Sequence, residues 1–232
     1  MKIEIIDETN NLIKFKIHSN VSFANSLRRI LLKEIPSVAV EFIEVSENTS
    51  IFEDEVLANR IGLIPINTSD DLVFPEECDC ESYCERCSII FNIDVTNNDL
   101  TNMNVYGNDM ITNSDANVHN SLICKLTYKQ KVKIKAIARK GIGHAKYCKV
   151  TAVGFTYDEN NSRRHTRLWN EANQEVKETW PQINEPKSVD WSDVNEVNME
   201  IEVVEGKGRP RDVLIEALSI YKFKMEKLLR KI

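Results

Sequence analysis

The sequence predicts an α+β fold, and three observations predict it. Val21–Pro36 carries Phe23, Leu27, Ile30 and Leu31 at i, i+4, i+7 and i+8, one apolar face of a helix about three turns long. Arg211–Ile232 holds a second, longer helix, with Val213, Ala217, Ile220 and Leu228 near helical spacing. Between these helices several segments alternate apolar and polar residues with a period of two, most strictly KVKIKAIA at 131–138.

The elements follow in order. Lys2–Ile6 and Asn11–Ile17 read as two strands joined through the turn residues DETNN, a β-hairpin feeding the first helix. Ser22 is the expected N-cap of that helix, and Pro36 closes it because proline lacks an N–H and disfavours helix at Ile35. Ser37–Val45 is rich in β-branched residues and reads as a strand. Glu53–Ile66 starts acidic, as suits a helix N-terminus. It places Val56, Leu57, Arg60 and Ile61 at helical spacing, with Gly62 as a left-handed stop. Ser88–Val95, Ala152–Tyr157 and Asn198–Val204 are further strands, and Asn97–Asn120 reads as an exposed loop with short strands. Asn160–Asp193 should be irregular and pinned by Trp169, Trp180 and Trp191. Gly206 and Gly208 make a turn, and Pro210 suits a first helical position.

The totals exclude several classes. A chain of 232 residues has room for one large domain or two modest ones. A net charge of −6 gives no whole-protein basic footprint for nucleic acid. The N-terminus MKIEIIDETN has no secretory pattern, and no apolar run approaches the ~18 residues of a membrane span. A soluble intracellular protein is expected, where thiols stay reduced and clustered cysteines favour metal over disulfide.

That cluster is Cys78, Cys80, Cys84 and Cys87, a C-x-C-x3-C-x2-C pattern within ten residues. Zinc takes four ligands at the corners of a tetrahedron, and thiolates suit it. Glu76, Glu77, Asp79, Glu81 and Glu85 add negative potential. Four thiolates leave no open position, so the site reads as structural Zn2+, with an iron–sulfur cluster or free thiols as alternatives. Lys131, Lys133 and Lys135 share one strand face that continues through Arg139 and Lys140, a candidate contact for phosphate or an acidic partner, or simply a solvated face. His18, His119, His144 and His165 form no HExxH, and there is no G-x-S-x-G elbow and no Walker loop. No catalytic residues are assigned. The first helix reads either as ordinary core or as an interface helix whose paired arginines meet another protein or phosphate.

Three blocks together carry a resemblance. VSFANSLRRILLKEIPSVAVEFIEV followed by EDEVLANRIGLIPI resembles the signature of the α-like subunits of multisubunit RNA polymerases. That family comprises bacterial α, its archaeal counterpart and the third subunit of eukaryotic RNA polymerase II. CDCESYCERC resembles the metal loop of its archaeal and eukaryotic members. KIKAIARKGIGHAKYCKVTAVGFTYD and RRHTRLWNEANQEVKETWPQ look most like the polymerase II subunit. The family usually has His where Asn59 stands, and the stretch between Gly141 and His144 is shorter than usual.

The resemblance implies a discontinuous dimerisation domain from residues 1–46 plus 194–232, and a mainly-β insert domain, 47–193, carrying the metal loop. It implies a non-catalytic assembly subunit that pairs with a smaller α-like subunit of the eleventh-subunit type. The pair would form a platform for the second-largest subunit, with DNA reached only indirectly through the other polymerase subunits. The partner face would comprise Phe23, Asn25, Leu27, Arg28, Arg29, Ile30, Leu31, Leu214, Leu218 and Phe223, with both arginines toward the large subunit. A discontinuous domain also makes physical sense, since each end has one amphipathic helix and strands and neither alone closes a core. Location would be nuclear in a eukaryote, or virion or cytoplasm for a virus. The competing function is a free-standing zinc-containing nucleic-acid-binding protein that uses the basic strand.

Overall fold

The computed structural model describes residues 2–69, 71–156 and 195–231. The tryptophan-bearing stretch 160–193 lies outside them. In chain order the elements are β1 (Ile3–Glu8), β2 (Leu12–Ile17), α1 (Val21–Lys33), β3 (Ser37–Asn48), α2 (Asp54–Gly62), β4 (Ile66–Asn67), β5 (Ser88–Thr96) and β6 (Met103–Tyr106). There follow β7 (Asn117–Val118), β8 (Leu122–Leu126), β9 (Lys131–Gly141), β10 (Val150–Thr156), β11 (Val197–Val203) and α3 (Pro210–Leu229).

Two sheets organise two separate cores. The first has strand order β1-β2-β11-β10, so the hairpin predicted at the N-terminus is completed by strands from far along the chain. Alternation decides its faces. Ile13, Phe15 and Ile17 of β2 and Val197, Met199, Ile201 and Val203 of β11 point inward and are buried. On the other face Lys14 pairs with Glu200 at 3.5 Å and Lys16 with Glu196 at 3.3 Å. Helix α1 lays Ala24, Leu27, Ile30 and Leu31 on the inner face, and α3 adds Val213, Leu214 and Ala217. Enclosing a leucine such as Leu27 contributes about 1.5–3 kcal/mol.

The second core lies on the three-stranded sheet β3-β9-β5. Val132, Ile134, Ala136 and Ala138 of β9 face it, with Ile89, Phe91 and Ile93 of β5 and Val38 and Val40 of β3. Helix α2 contributes Leu57 and Ile61, and the β6–β8 pair adds Val105, Ile123 and Leu126. Arg60 fastens α2 to β8, its Nε donating to Ile123 O at 2.7 Å and its Nη2 to Leu122 O at 2.8 Å.

Two expectations are corrected. The cap of α1 is Asn20, whose Oδ1 accepts from the Phe23 N–H at 2.9 Å. The helix starts at Val21, which puts Ser22 inside the first turn. Gly62 is not in the left-handed region. It is the last residue of α2, with room for a side chain only in contact with Val40 O. All of β3 belongs to the second sheet, and β10 joins the first, with Val150 in the first core. The sequence pattern marks both as half-buried strands, but pairing partners fix which core each serves. Gly141 ends β9 where a side chain would strike the Tyr147 ring, its Cβ lying 2.6 Å from Cζ.

Candidate metal centre and assembly surface

The cysteine loop is closed at its base by the Val73 N–H donating to Arg86 O at 3.0 Å. Cys84 and Cys87 bracket a tight turn. Cys84 O accepts from the Cys87 N–H at 3.1 Å, the Ser88 N–H at 2.9 Å and the Ser88 hydroxyl at 2.8 Å. Because β5 begins at Ser88, that turn is fixed to the sheet and Cys87 is buried. The sulfurs converge: Cys78–Cys84 and Cys80–Cys87 are each 3.6 Å apart, Cys84–Cys87 is 3.8 Å, and all four lie within 4.8 Å. Zinc–thiolate bonds of about 2.3 Å give a tetrahedron with edges near 3.8 Å. The donor set and spacing therefore fit a single ion. A cluster would interpose several atoms between cysteines and hold them farther apart. As free thiols the four are inequivalent. Hydrogen bonding to Cys78 is the largest cause pushing Cys80 up to about 12. The backbone N–H of Arg86 leads the causes that bring Cys84 down to about 7.

The basic strand bears directly on this loop. Lys135 Nζ donates to the Tyr83 hydroxyl at 2.6 Å and stands 5.0 Å from its ring centroid. Arg139 donates to Ser82 O and lies over Phe42 at 4.9 Å. All five cations on this strand also face carboxylates. Lys131 meets Glu47 at 2.8 Å, Lys133 meets Asp94 at 3.4 Å and Lys135 meets Glu44 at 3.1 Å. Arg139 meets Glu41 at 3.7 Å and Lys140 meets Asp71 at 3.5 Å. Hydrogen bonding to Glu47 raises the Lys131 pKa, and that to Tyr83 leads the causes raising Lys135. Sequence reasoning missed Tyr83, Ser82 and these acids. The register of β9 with β3 and β5 sets Lys135 opposite Glu44 and Lys133 opposite Glu47 and Asp94. Alternating Glu and Lys in separate strands was the available signal.

The predicted partner face splits in two. Leu27, Ile30, Leu31 and Leu214 are enclosed in the chain's own first core. Asn25 Oδ1 accepts from Arg28 Nε at 3.2 Å and Nη2 at 2.9 Å, which orients that guanidinium. Arg29 is exposed and has no side-chain partner among the described residues. Phe23 and Leu218 are half-buried, Phe23 meeting Tyr221 edge-on with centroids 5.0 Å apart. Beyond Tyr221, α3 runs past the core. Phe223 is 64% exposed and Leu229 71%, with Met225 and Leu228 exposed beside them. Lys224 pairs with Glu34 at the end of α1.

Residues 40–153 match the RNA polymerase Rpb3/RpoA insert domain, nearly the span of the second core. With the mixed helix-and-sheet fold, that match defines an α-like polymerase subunit. The chain is 31% identical to the DNA-directed RNA polymerase II subunit RPB3 of Schizosaccharomyces pombe, over 98% of this chain and 86% of that protein. It is 36% identical to the archaeal subunit Rpo3 of Methanosphaera stadtmanae, over 68% of this chain and 61% of that one. The subunit 3 shared by polymerases II, IV and V of Arabidopsis thaliana is 35% identical over 68% of this chain and 57% of its own length. The chain belongs to the Rpb3/Rpo3 family of DNA-directed RNA polymerase subunits, which are assembly subunits and not catalytic ones. Among the described residues no helix is long and apolar enough to cross a membrane.

Proposed function

We propose that this chain pairs with a smaller α-like subunit and that the pair carries the second-largest subunit of an RNA polymerase during transcription. The observation that supports this most is the end of α3, four exposed apolar side chains in a run of helix that no core among the described residues reaches. An antiparallel helix pair from a related partner, lying across α1 and α3, covers such a stripe. Arg29, exposed on α1 and unpaired among the described residues, and Arg28, held by Asn25, suit carboxylates of the large subunit, where guanidinium pairs bidentately. The dimerisation part corresponds to the two chain ends and the insert to the second core. In this reading the metal is a structural Zn2+ held by Cys78, Cys80, Cys84 and Cys87, fixing the loop outside the polymerase active site. The location is that of the polymerase: nuclear in a eukaryotic cell, cytoplasm or virion for a viral enzyme.

The test is the composition of complexes recovered through a tagged copy of this chain. A smaller α-like subunit and a second-largest polymerase subunit should be present in equal amounts with it, and the isolated chain should show no nucleotidyl transfer. Recovery as a lone stable monomer from cells making the polymerase would refute the reading.

A further inference from the structure

Among the described residues Lys207 is the only charged side chain that is buried, at 6% exposure. It follows Gly206 and precedes Gly208, both at positive φ, in the turn that leads into α3. Its Nζ donates to the Ser37 hydroxyl at 2.6 Å and to Val38 O at 2.8 Å. Both acceptors are neutral, and an ammonium has three hydrogens. No carboxylate among the described residues pairs with it, and a buried cation ordinarily has an anionic partner.

Lys207 lines a cavity of about 250 Å³ at the start of β3, together with Lys140, Lys149 and Glu216. Lys149 pairs with Glu216 at 2.8 Å, and Lys140 leans on the fully exposed Asp71 at 3.5 Å. Among the described residues three ammonium groups thus face one space lined by a single carboxylate. Burial and then the Lys149 charge bring the Lys207 pKa down to about 8, the signature of a cation short of countercharge.

We infer that this cavity binds a phosphate-type oxyanion, held by Lys207, Lys140 and Lys149. A tetrahedral oxyanion offers acceptors in several directions at once, which a chloride or a single carboxylate does not, and charge-assisted bonds to ammonium groups are the strong ones. The bound ion would join the two cores, since Ser37 and Lys140 belong to the second sheet and Lys207 and Glu216 to the α3 side.

The experiment titrates inorganic phosphate into the full chain at constant ionic strength, read by calorimetry and by thermal unfolding, with chloride and sulfate as parallel arms. Saturable binding of phosphate and sulfate, with a rise in Tm that chloride does not give, is expected. Lys140→Gln leaves no buried group behind and should weaken phosphate about ten-fold, the value of one charge-assisted hydrogen bond. Lys207→Met should abolish binding; if that variant does not fold, Lys140→Gln decides. Lys133→Gln, on the remote strand, should bind as the parent does. No effect beyond chloride, unchanged affinity in Lys140→Gln, or equal weakening in Lys133→Gln would each overturn the inference.

Discussion

The cysteine loop and the last turns of α3 both stand away from a core, yet they are held in opposite ways. The loop is polar, with Glu76, Glu77, Asp79 and Glu81 exposed, and is closed from within by four converging sulfurs. Tyr83 and Ser82 tie it to Lys135 and Arg139 of the same chain. The α3 end is apolar, and among the described residues its tertiary ion pair is Lys224 with Glu34. Four sulfurs that converge within ten residues could be joined by one ion without help from another chain. The apolar helix end has no core beneath it among the described residues, and in the proposed assembly its burial falls to another chain.

The sharpest way to break this contrast is to remove the loop's internal closure. Structural zinc contributes on the order of 10–16 kcal/mol of apparent folding energy in small peptides, so the double variant Cys84→Ser/Cys87→Ser should have the largest effect. It should lose its bound metal by elemental analysis and lose amide protection around Val73–Ser88. The α1–α3 core should keep its protection, because the two cores are built on different sheets. Metal content equal to the parent's would refute the ligand assignment. Next in size is Leu27→Ala, a cavity in the first core that should cost about 2–5 kcal/mol by denaturant unfolding and leave metal content unchanged.

These two variants probe the features most legible in the sequence. The i, i+4, i+7 spacing marked α1, period-two alternation marked β2, β9 and β11, and the cysteine spacing marked the loop where four sulfurs converge. All three are local patterns. What stayed hidden depends on pairing between distant segments. Nothing near Ser37 says that its strand leaves the first core, and nothing near Val150 says that its strand returns to it. Lys133 and Lys135 looked like a free basic face because their acids sit on β3 and β5, tens of residues away. The Asn20 cap was missed for a smaller reason: two capping residue types stand two positions apart, and helix ends are set by tertiary context.

Phe223→Ala addresses the open side of the comparison. With 64% of its surface exposed, truncation should change the chain's own stability by no more than about 0.5 kcal/mol. In the proposed pairing, affinity for the smaller subunit should fall on the order of 30-fold, which corresponds to a hot-spot residue of about 2 kcal/mol. Unfolding of the isolated chain and calorimetry of the pair measure the two separately. A loss of intrinsic stability with unchanged pairing would mean that α3 is complete on its own.

The smallest effects separate two kinds of lysine on one strand. Lys133 and Asp94 are both about half exposed, and such pairs contribute about 0–1 kcal/mol, so Lys133→Gln should alter neither stability nor metal retention measurably. Tyr83→Phe keeps the ring over which Lys135 sits but removes the hydroxyl that accepts its hydrogen bond. Because Tyr83 immediately precedes Cys84, loosening it should let the loop open more often and speed metal release to a chelator several-fold. Equal release rates in the two variants would show that the strand acts on the loop only through its overall charge. A faster rate in Tyr83→Phe alone would assign the basic strand to seating the metal loop, and the closed region would then owe its closure to β9 as well as to its own sulfurs.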